Sequence, residues 1–447
     1  MAFRSTVSLL RAMRCSPWDN PERSIIIRTA IIASIACIGS AALSAAPITF
    51  HVALDERAPS SAALELDLPP GRTGDLVLTA GPRAAATLVG QPECDGAAIS
   101  VKGPRRWVAL AACRKLRWTV ALCDPDGQGV DASDPTGAWS ERGRWWLLTD
   151  HLAFLAPAGG WDDARVEIRV RWRSGRANES IQPFPHHGQL PFYAIVSAAP
   201  PQVYREGSFG LHVYGDIPPE AGPDQMRFVA NVLDRWRRDV IPTDISAPNR
   251  LDILWIPPVP QAEPTFLASA GMRAVLMQNI PGPDREATNA KLRAAILMGG
   301  HEGFHTLVGT IPQKALPTWA NESWASYFAF RAAKPWLDAK ALEMVRALID
   351  APSPAGLLEV QAQVDHGDGS NYNVFYGKGA RFWDAIDAVL VTRSNPSGRL
   401  AALIQDTHGL RGLDWSKADA IAAYLDARSN GRASDIVRCY LVKPDCG

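Results

Sequence analysis

The chain has 447 residues, with 46 Lys+Arg against 46 Asp+Glu and 47% apolar positions. That is the composition of a soluble globular protein, and it excludes a collagen-like chain, low-complexity disorder and a multi-span membrane protein. The length allows two or three domains, and zero net charge removes the electrostatic reason to expect a nucleic-acid or anionic-membrane partner.

The first 45 residues hold Arg4, Arg11, Arg14, Arg23 and Arg28 against only Asp19 and Glu22, so the remainder carries a net charge of about −3. Residues 29–43, TAIIASIACIGSAAL, form an uncharged apolar stretch of 15 residues, preceded by Arg28 and followed by Ser44, Ala45 and Ala46. This is the pattern of a secretory signal peptide over residues 1–45, with a long basic n-region and cleavage near 44–46. A membrane anchor would need about 20 apolar residues, and Arg28 blocks extension backwards. Export to the periplasm or the exterior is therefore expected. Five of the seven cysteines, Cys94, Cys113, Cys123, Cys439 and Cys446, lie beyond that segment and outside any CxxC or His/Cys spacing suited to zinc. In an oxidising compartment they are expected to form disulfides. Cys439 and Cys446 close a short C-terminal loop, and at most one further bridge can form among the other three; the sequence does not set the pairing.

Residues 47–195 read as a β-rich domain. Short segments such as ITFHVAL, AALELDL, RWTVALC, RWWLLT and ARVEIRVRW are separated by Gly, Pro and Asp turns. Val166, Ile168, Val170 and Trp172 alternate with Arg165, Glu167, Arg169 and Arg171, the period of two of a half-buried strand. An all-β sandwich or barrel is predicted. Its tryptophans, Trp107, Trp118, Trp139, Trp145, Trp146, Trp161 and Trp172, are read as core, with a sugar-binding platform as the rival reading. The proline-rich stretch 181–202 is a linker or an entering strand. His186 and His187 within it point to opposite faces if extended, so they do not share a metal.

From residue 196 to 447 the texture becomes α+β. A helix over 223–240 precedes strands at 251–256 and 273–280, and helices are predicted at about 284–309, 317–333, 337–350, 378–392 and 416–427. The expected architecture is multidomain: an N-terminal all-β sandwich-like domain, then an α+β domain with a small sheet and a helical C-terminal part.

His301-Glu302-Gly303-Phe304-His305 is an HExxH sequence within the first helix of that bundle. Residues four apart share a helix face, so both imidazoles converge on one ion while Glu302 can take a proton from the water that the ion polarises. Neutral imidazoles suit one Zn²⁺, and a catalytic site needs one more protein ligand with a position left open. Chance HExxH in a chain with so few histidines has a probability of about one per cent. The third ligand is assigned to Glu322 in Leu316-Pro317-Thr318-Trp319-Ala320-Asn321-Glu322-Ser323-Trp324-Ala325-Ser326-Tyr327. Pro317 suits a helix start, and a short connection packs the two helices antiparallel.

With these residues the chain resembles the gluzincin metallopeptidases, in which a glutamate on the following helix is the third zinc ligand. Tyr376-Gly377-Lys378-Gly379-Ala380 is similar to the YxKG segment of gluzincin aminopeptidases; the resemblance implies that the Tyr376 hydroxyl donates to the oxyanion of the tetrahedral intermediate. Within this group the chain resembles the bacterial glycyl aminopeptidase-like family, which has an N-terminal β domain and a thermolysin-like catalytic domain. A PDZ domain is not expected, since the chain ends at Gly447.

Where that family carries a Gly-Gly-Leu-Glu-His type segment that receives the substrate's α-amine, this chain has Ser269-Ala270-Gly271-Met272-Arg273-Ala274-Val275. Gly271, Met272, Arg273 and Ala274 are therefore the candidate substrate-binding residues, and aminopeptidase and endopeptidase action both stay open. Peptide substrate is expected to add as an extra strand near residues 272–280. Gly299, Gly300 and Gly303 in the zinc helix imply close packing on one side, since each costs about 1 kcal/mol relative to alanine. Asp387 is a candidate to support a ligating histidine. The alternative to an exported zinc peptidase is an envelope binding or assembly protein that keeps the fold without turnover: the altered strand favours it, and the intact motifs oppose it.

Overall fold

The computed structural model describes residues 48–444 with interruptions, of which the longest are 80–87, 123–138, 158–165, 173–181, 184–192, 257–266 and 279–296. The proposed signal segment 1–45, His186, His187, Met272, Arg273, Cys123 and Cys446 lie outside the described residues.

Among the described residues, strands between Ile48 and Ser197 form three sheets of seven, four and three strands. In the seven-stranded sheet Ile48–Leu54 runs antiparallel to Ser61–Asp67 and parallel to Val166–Trp172. Alternation does what the sequence demands: in Ser61–Asp67, Ala62, Leu64 and Leu66 point inward while Ala63, Glu65 and Asp67 are exposed or half-exposed. The core that these sheets enclose includes Phe50, Leu78, Trp107, Trp118 and Trp146. Four of the tryptophans, Trp107, Trp118, Trp145 and Trp146, are buried, which fits packing rather than a sugar platform. A disulfide joins Cys94 to Cys113, and Cys439 is disulfide-bonded as well.

Two strands of the three-stranded sheet, Trp145–Thr149 and Tyr193–Ser197, are covered on both faces. Trp146 and Leu148 of Trp145–Thr149, with Ala194 and Val196 of Tyr193–Ser197, enter the sandwich core. Trp145, Leu147, Tyr193 and Ile195 pack instead against Tyr214, Leu254, Ile256, Ala274 and Leu276 of the next sheet. The uninterrupted apolar run of RWWLLT is the signature of a strand covered on both sides. Residues 193–197, read from sequence as part of a linker or an entering strand, are a strand, recruited by pairing with Trp145–Thr149.

A fourth sheet has, among the described residues, five strands in the order Gln202–Glu206, Phe209–Gly215, Arg250–Ile256, Ala274–Gln278 and Leu267–Ala270. Helix α1 (Pro223–Asp239) crosses its other face, with Met226, Val229, Leu233 and Trp236 buried beneath it. The zinc-motif helix, α2, is described over 299–308, followed by α3 (Thr318–Ala333), α4 (Ala339–Ile349), α5 (Leu357–Asp365), α6 (Val374–Val389), α7 (Arg399–Gln405), α8 (Ala418–Asp426) and α9 (Ser434–Val437). Three of these, α5, α7 and α9, are absent from the sequence-based expectation: they are short, and their turns are fixed by tertiary packing more than by a long apolar period. Helix α6 begins four residues earlier than expected, so Tyr376 stands inside its first turn.

One expectation is corrected here. The strand Ala274–Gln278 is paired on both sides, parallel to Arg250–Ile256 and antiparallel to Leu267–Ala270, so it offers no edge to a substrate. Gly271 N–H donates to Ala274 O at 2.8 Å at the end of this pairing, and Leu267–Ala270 is the outer strand among the described residues. Ala274 is buried against the β region, and the ideal Cβ position at Gly271 lies 2.4 Å from the Tyr193 ring. Of the four candidate substrate-binding residues, these two are packed into the interface between the sheets.

Candidate metal centre

Helix α2 is held unusually close to its neighbours, which explains its glycines. A Cβ at Gly299 would lie 2.8 Å from Met277 Sδ, and one at Gly303 would lie 2.7 Å from Leu233 Cδ2. The first contact is with the sheet, the second with α1. Phe304, Leu307 and Val308 fill the core on the same helix, leaving His301, Glu302 and His305 on the side that faces α3 and the outer strand.

Pro317 stands just before α3, whose second turn delivers Glu322 to the histidines. The Glu322 Oε2 atom is 3.2 Å from His301 Nε2 and 3.4 Å from His305 Nε2, and the two Nε2 atoms are 3.0 Å apart. His305 Nδ1 lies 3.2 Å from Asn321 Oδ1. An amide oxygen only accepts, so Nδ1 carries a proton, which leaves Nε2 as the atom that offers a lone pair to an ion once the ring is neutral. His301 Nδ1 is 3.3 Å from Ser326 Oγ. Three electron-rich atoms facing one another at these distances repel unless a cation or a proton stands between them, and two imidazoles with a carboxylate are the donor set of a catalytic zinc. Asn321 and Ser326, one and four residues from Glu322 on α3, orient the imidazoles, as outer hydrogen bonds do in metal sites. The sequence contained them beside Glu322, but only the helix crossing reveals what they touch.

Asp387 does not play that part. Its Oδ1 accepts from the Leu400 N–H at 2.5 Å and its Oδ2 from Arg331 at 3.3 Å, so it ties α7 to α3 and α6, away from the histidines.

Glu302 is 8% exposed. Gly271 N–H donates inward to Ala274 O at 2.8 Å, so the preceding N–H, that of Ala270, faces outward from the sheet edge and is taken by the Glu302 carboxylate. One residue on, the Gly271 carbonyl accepts from Thr306 Oγ1 at 3.0 Å. The outer strand and the motif helix are thereby locked together. Burial raises the Glu302 carboxyl above its ordinary value, the histidines oppose this, and the Glu322 charge adds to it. Burial alone would lower the His305 imidazole and raise the Glu322 carboxyl; their mutual attraction prevails, moving His305 up to about 9 and Glu322 downward in the metal-free cluster.

Helix α6 packs on α3 so closely that a Cβ at Gly379 would fall 2.3 Å from Ser323 Cβ, and Trp383 Nε1 donates to Ser323 Oγ at 2.8 Å. This crossing sets Tyr376 beside the cluster, its ring 5.6 Å from that of His301. Burial, then the charges of Glu322 and Glu302, raise the Tyr376 phenol well above its usual value, so it remains a donor. A second phenol was missed from sequence: Tyr372 donates to Glu322 Oε1 at 2.9 Å. It stands in the turn before α6, where helical spacing gives no signal.

No protein-family model matches the chain, and no curated protein is detectably similar in sequence. Among solved structures, an aminopeptidase N family protein from Idiomarina loihiensis superposes with a TM-score of 0.61 at 12% identity, covering 89% of this chain and 76% of that one. An M1 zinc metallopeptidase from Deinococcus radiodurans, solved alone and as a mutant bound to a Tyr-Ser-Ala substrate, gives TM-scores of 0.48 at 13% and 14% identity. The alignments cover 92% of this chain and 96% of that one in the first case, and 90% and 95% in the second. At such identities the I. loihiensis likeness shows a shared fold, one that accords with the gluzincin resemblance of the motifs.

Proposed function

We propose that the chain is an exported zinc-dependent peptidase, with His301, His305 and Glu322 as the metal ligands, Glu302 as general base and Tyr376 as oxyanion donor. The observation that carries this reading is the convergence of the three ligand atoms within 3.0–3.4 Å of one another beside a buried carboxylate. When bound, zinc supplies a Lewis acid that acidifies water and polarises the scissile carbonyl. Glu302, its basicity strengthened by burial, accepts the proton of the attacking water and returns it to the leaving amine as the C–N bond breaks. Tyr376 keeps its proton and donates a hydrogen bond to the oxyanion.

Peptide substrate is assigned to the outer edge at Leu267–Ala270, where a backbone added as a further strand would pass the Glu302 carboxylate. Export is supported by the basic and apolar pattern of residues 1–45 and by the Cys94–Cys113 disulfide. The test is Glu302→Gln. It should retain one zinc per chain by metal analysis and lose hydrolysis of a peptide mixture; hydrolysis at the wild-type rate would overturn the mechanism. Mass-spectrometric mapping of the cut sites in the same mixture decides between amino-terminal trimming and internal cleavage.

A further inference from the structure

The Glu322 carboxylate has two oxygens with different partners. Oε2 faces both histidine Nε2 atoms at 3.2 and 3.4 Å, while Oε1 accepts from Tyr372 at 2.9 Å. We infer that Tyr372 is a positioning residue for the third metal ligand, distinct in role from Tyr376, and that it holds Glu322 so that a single oxygen is presented to the ion. The inference rests on the zinc reading above.

The placement of Tyr372 is built, not incidental. It lies in the turn over 370–373 that leads into α6, where its backbone N–H donates to Gly369 O at 3.1 Å. Its ring meets those of Phe375 and Tyr376 edge-on, with centroids 5.2 and 5.8 Å away. The turn is braced against α5: Asp368 N–H donates to Gln363 O at 2.9 Å and Asn371 Nδ2 to Gln363 Oε1 at 2.9 Å. The start of α3 is tied to the same helix, since Trp319 N–H donates to Gln361 Oε1 at 2.8 Å. Helix α5 therefore brackets both the segment that carries the ligand and the segment that carries the phenol, and the hydrogen bond between them has little freedom to wander.

A carboxylate with a free second oxygen can rotate about its Cγ–Cδ bond. A neutral donor on that oxygen restricts rotation and leaves the negative charge in place for the ion. Groups hydrogen-bonded to metal ligands commonly change metal affinity by about 10- to 100-fold.

The experiment measures zinc affinity of the full chain by competition with a chromophoric chelator, for wild type, Tyr372→Phe and Tyr376→Phe. Loss of one hydroxyl should leave the metal-free melting temperature within a few degrees of wild type. Tyr372→Phe is expected to weaken zinc binding by about 10-fold or more, whereas Tyr376→Phe keeps the wild-type affinity and lowers kcat. A Tyr372→Phe protein that binds zinc as wild type does overturns the inference. Equal weakening by both variants overturns the division of roles. A wild-type chain that binds no zinc overturns this inference and the zinc reading together, and one that binds zinc but cleaves no peptide overturns only the peptidase reading.

Discussion

The β region and the metal-bearing region bury their residues by different rules. Among the described residues up to Ser197, the buried polar side chains are only Thr49 and Thr149; from Gln202 onward they include Asp234, Asp252, His301, Glu302, His305, Lys378 and Asp387. A buried charge is costly unless paired and hydrogen-bonded. Most of these are answered by an opposite charge or by hydrogen-bond acceptors. Asp234 meets Arg237 at 2.9 Å and Arg238 at 3.2 Å, Asp252 accepts two bonds from Arg250 at 2.7 and 3.0 Å, and Lys378 donates to the carbonyls of Ala355 and Pro444 at 2.9 and 2.8 Å. The cluster of His301, His305, Glu302 and Glu322 differs, since its members face one another. Buried charge alone does not mark a site; convergence of titratable groups does.

The largest effect that would break this contrast is at Glu302. Glu302→Gln should lower kcat by about 10²- to 10⁴-fold, the usual contribution of a positioned acid–base group, read by steady-state hydrolysis at saturating zinc. Tyr376→Phe should cost about 10²-fold in kcat through loss of one oxyanion donor.

Next come changes that should alter stability and spare the metal. Trp146→Ala removes a fully buried ring from the sandwich core and should destabilise by about 3–5 kcal/mol in denaturant unfolding, with zinc affinity unchanged. If zinc affinity falls with it, the two regions are not energetically separate, and the contact of Tyr193 with Gly271 is the place to look. Asp387→Ala leaves the Leu400 N–H unanswered and should cost about 2 kcal/mol, again without a change in zinc affinity.

The smallest expected signal is a proton. His305 in the metal-free cluster is moved up to about 9, so near pH 7 it is protonated and must lose that proton to bind zinc. Calorimetric zinc titrations in buffers of different ionisation enthalpy should report release of about one proton. Because the folded value lies above the unfolded value of about 6.5, the pair stabilises the metal-free protein fully below that value. The contribution then disappears as pH rises through about 9. A metal-free protein whose stability is flat between pH 7 and 10 would contradict the arrangement.

Much of the site was legible in the residues because its geometry is local. The spacing of four in His301 and His305 fixes a shared helix face whatever surrounds it, and the glycines of α2 announce close neighbours before those neighbours are known. The double-sided apolar run at 145–149 similarly marks a strand covered on both faces. What the tertiary structure alone decided are relations between distant segments. These are the pairing of Leu267–Ala270 outside Ala274–Gln278, the Cys94–Cys113 bridge, the diversion of Asp387 to Leu400, and the hold of Tyr372 on Glu322. Periodicity records which face of an element is buried and is silent about what lies against it, so partners across 35 or 50 residues of chain, as in Thr306 with Gly271 and Tyr372 with Glu322, become readable only when the helices cross.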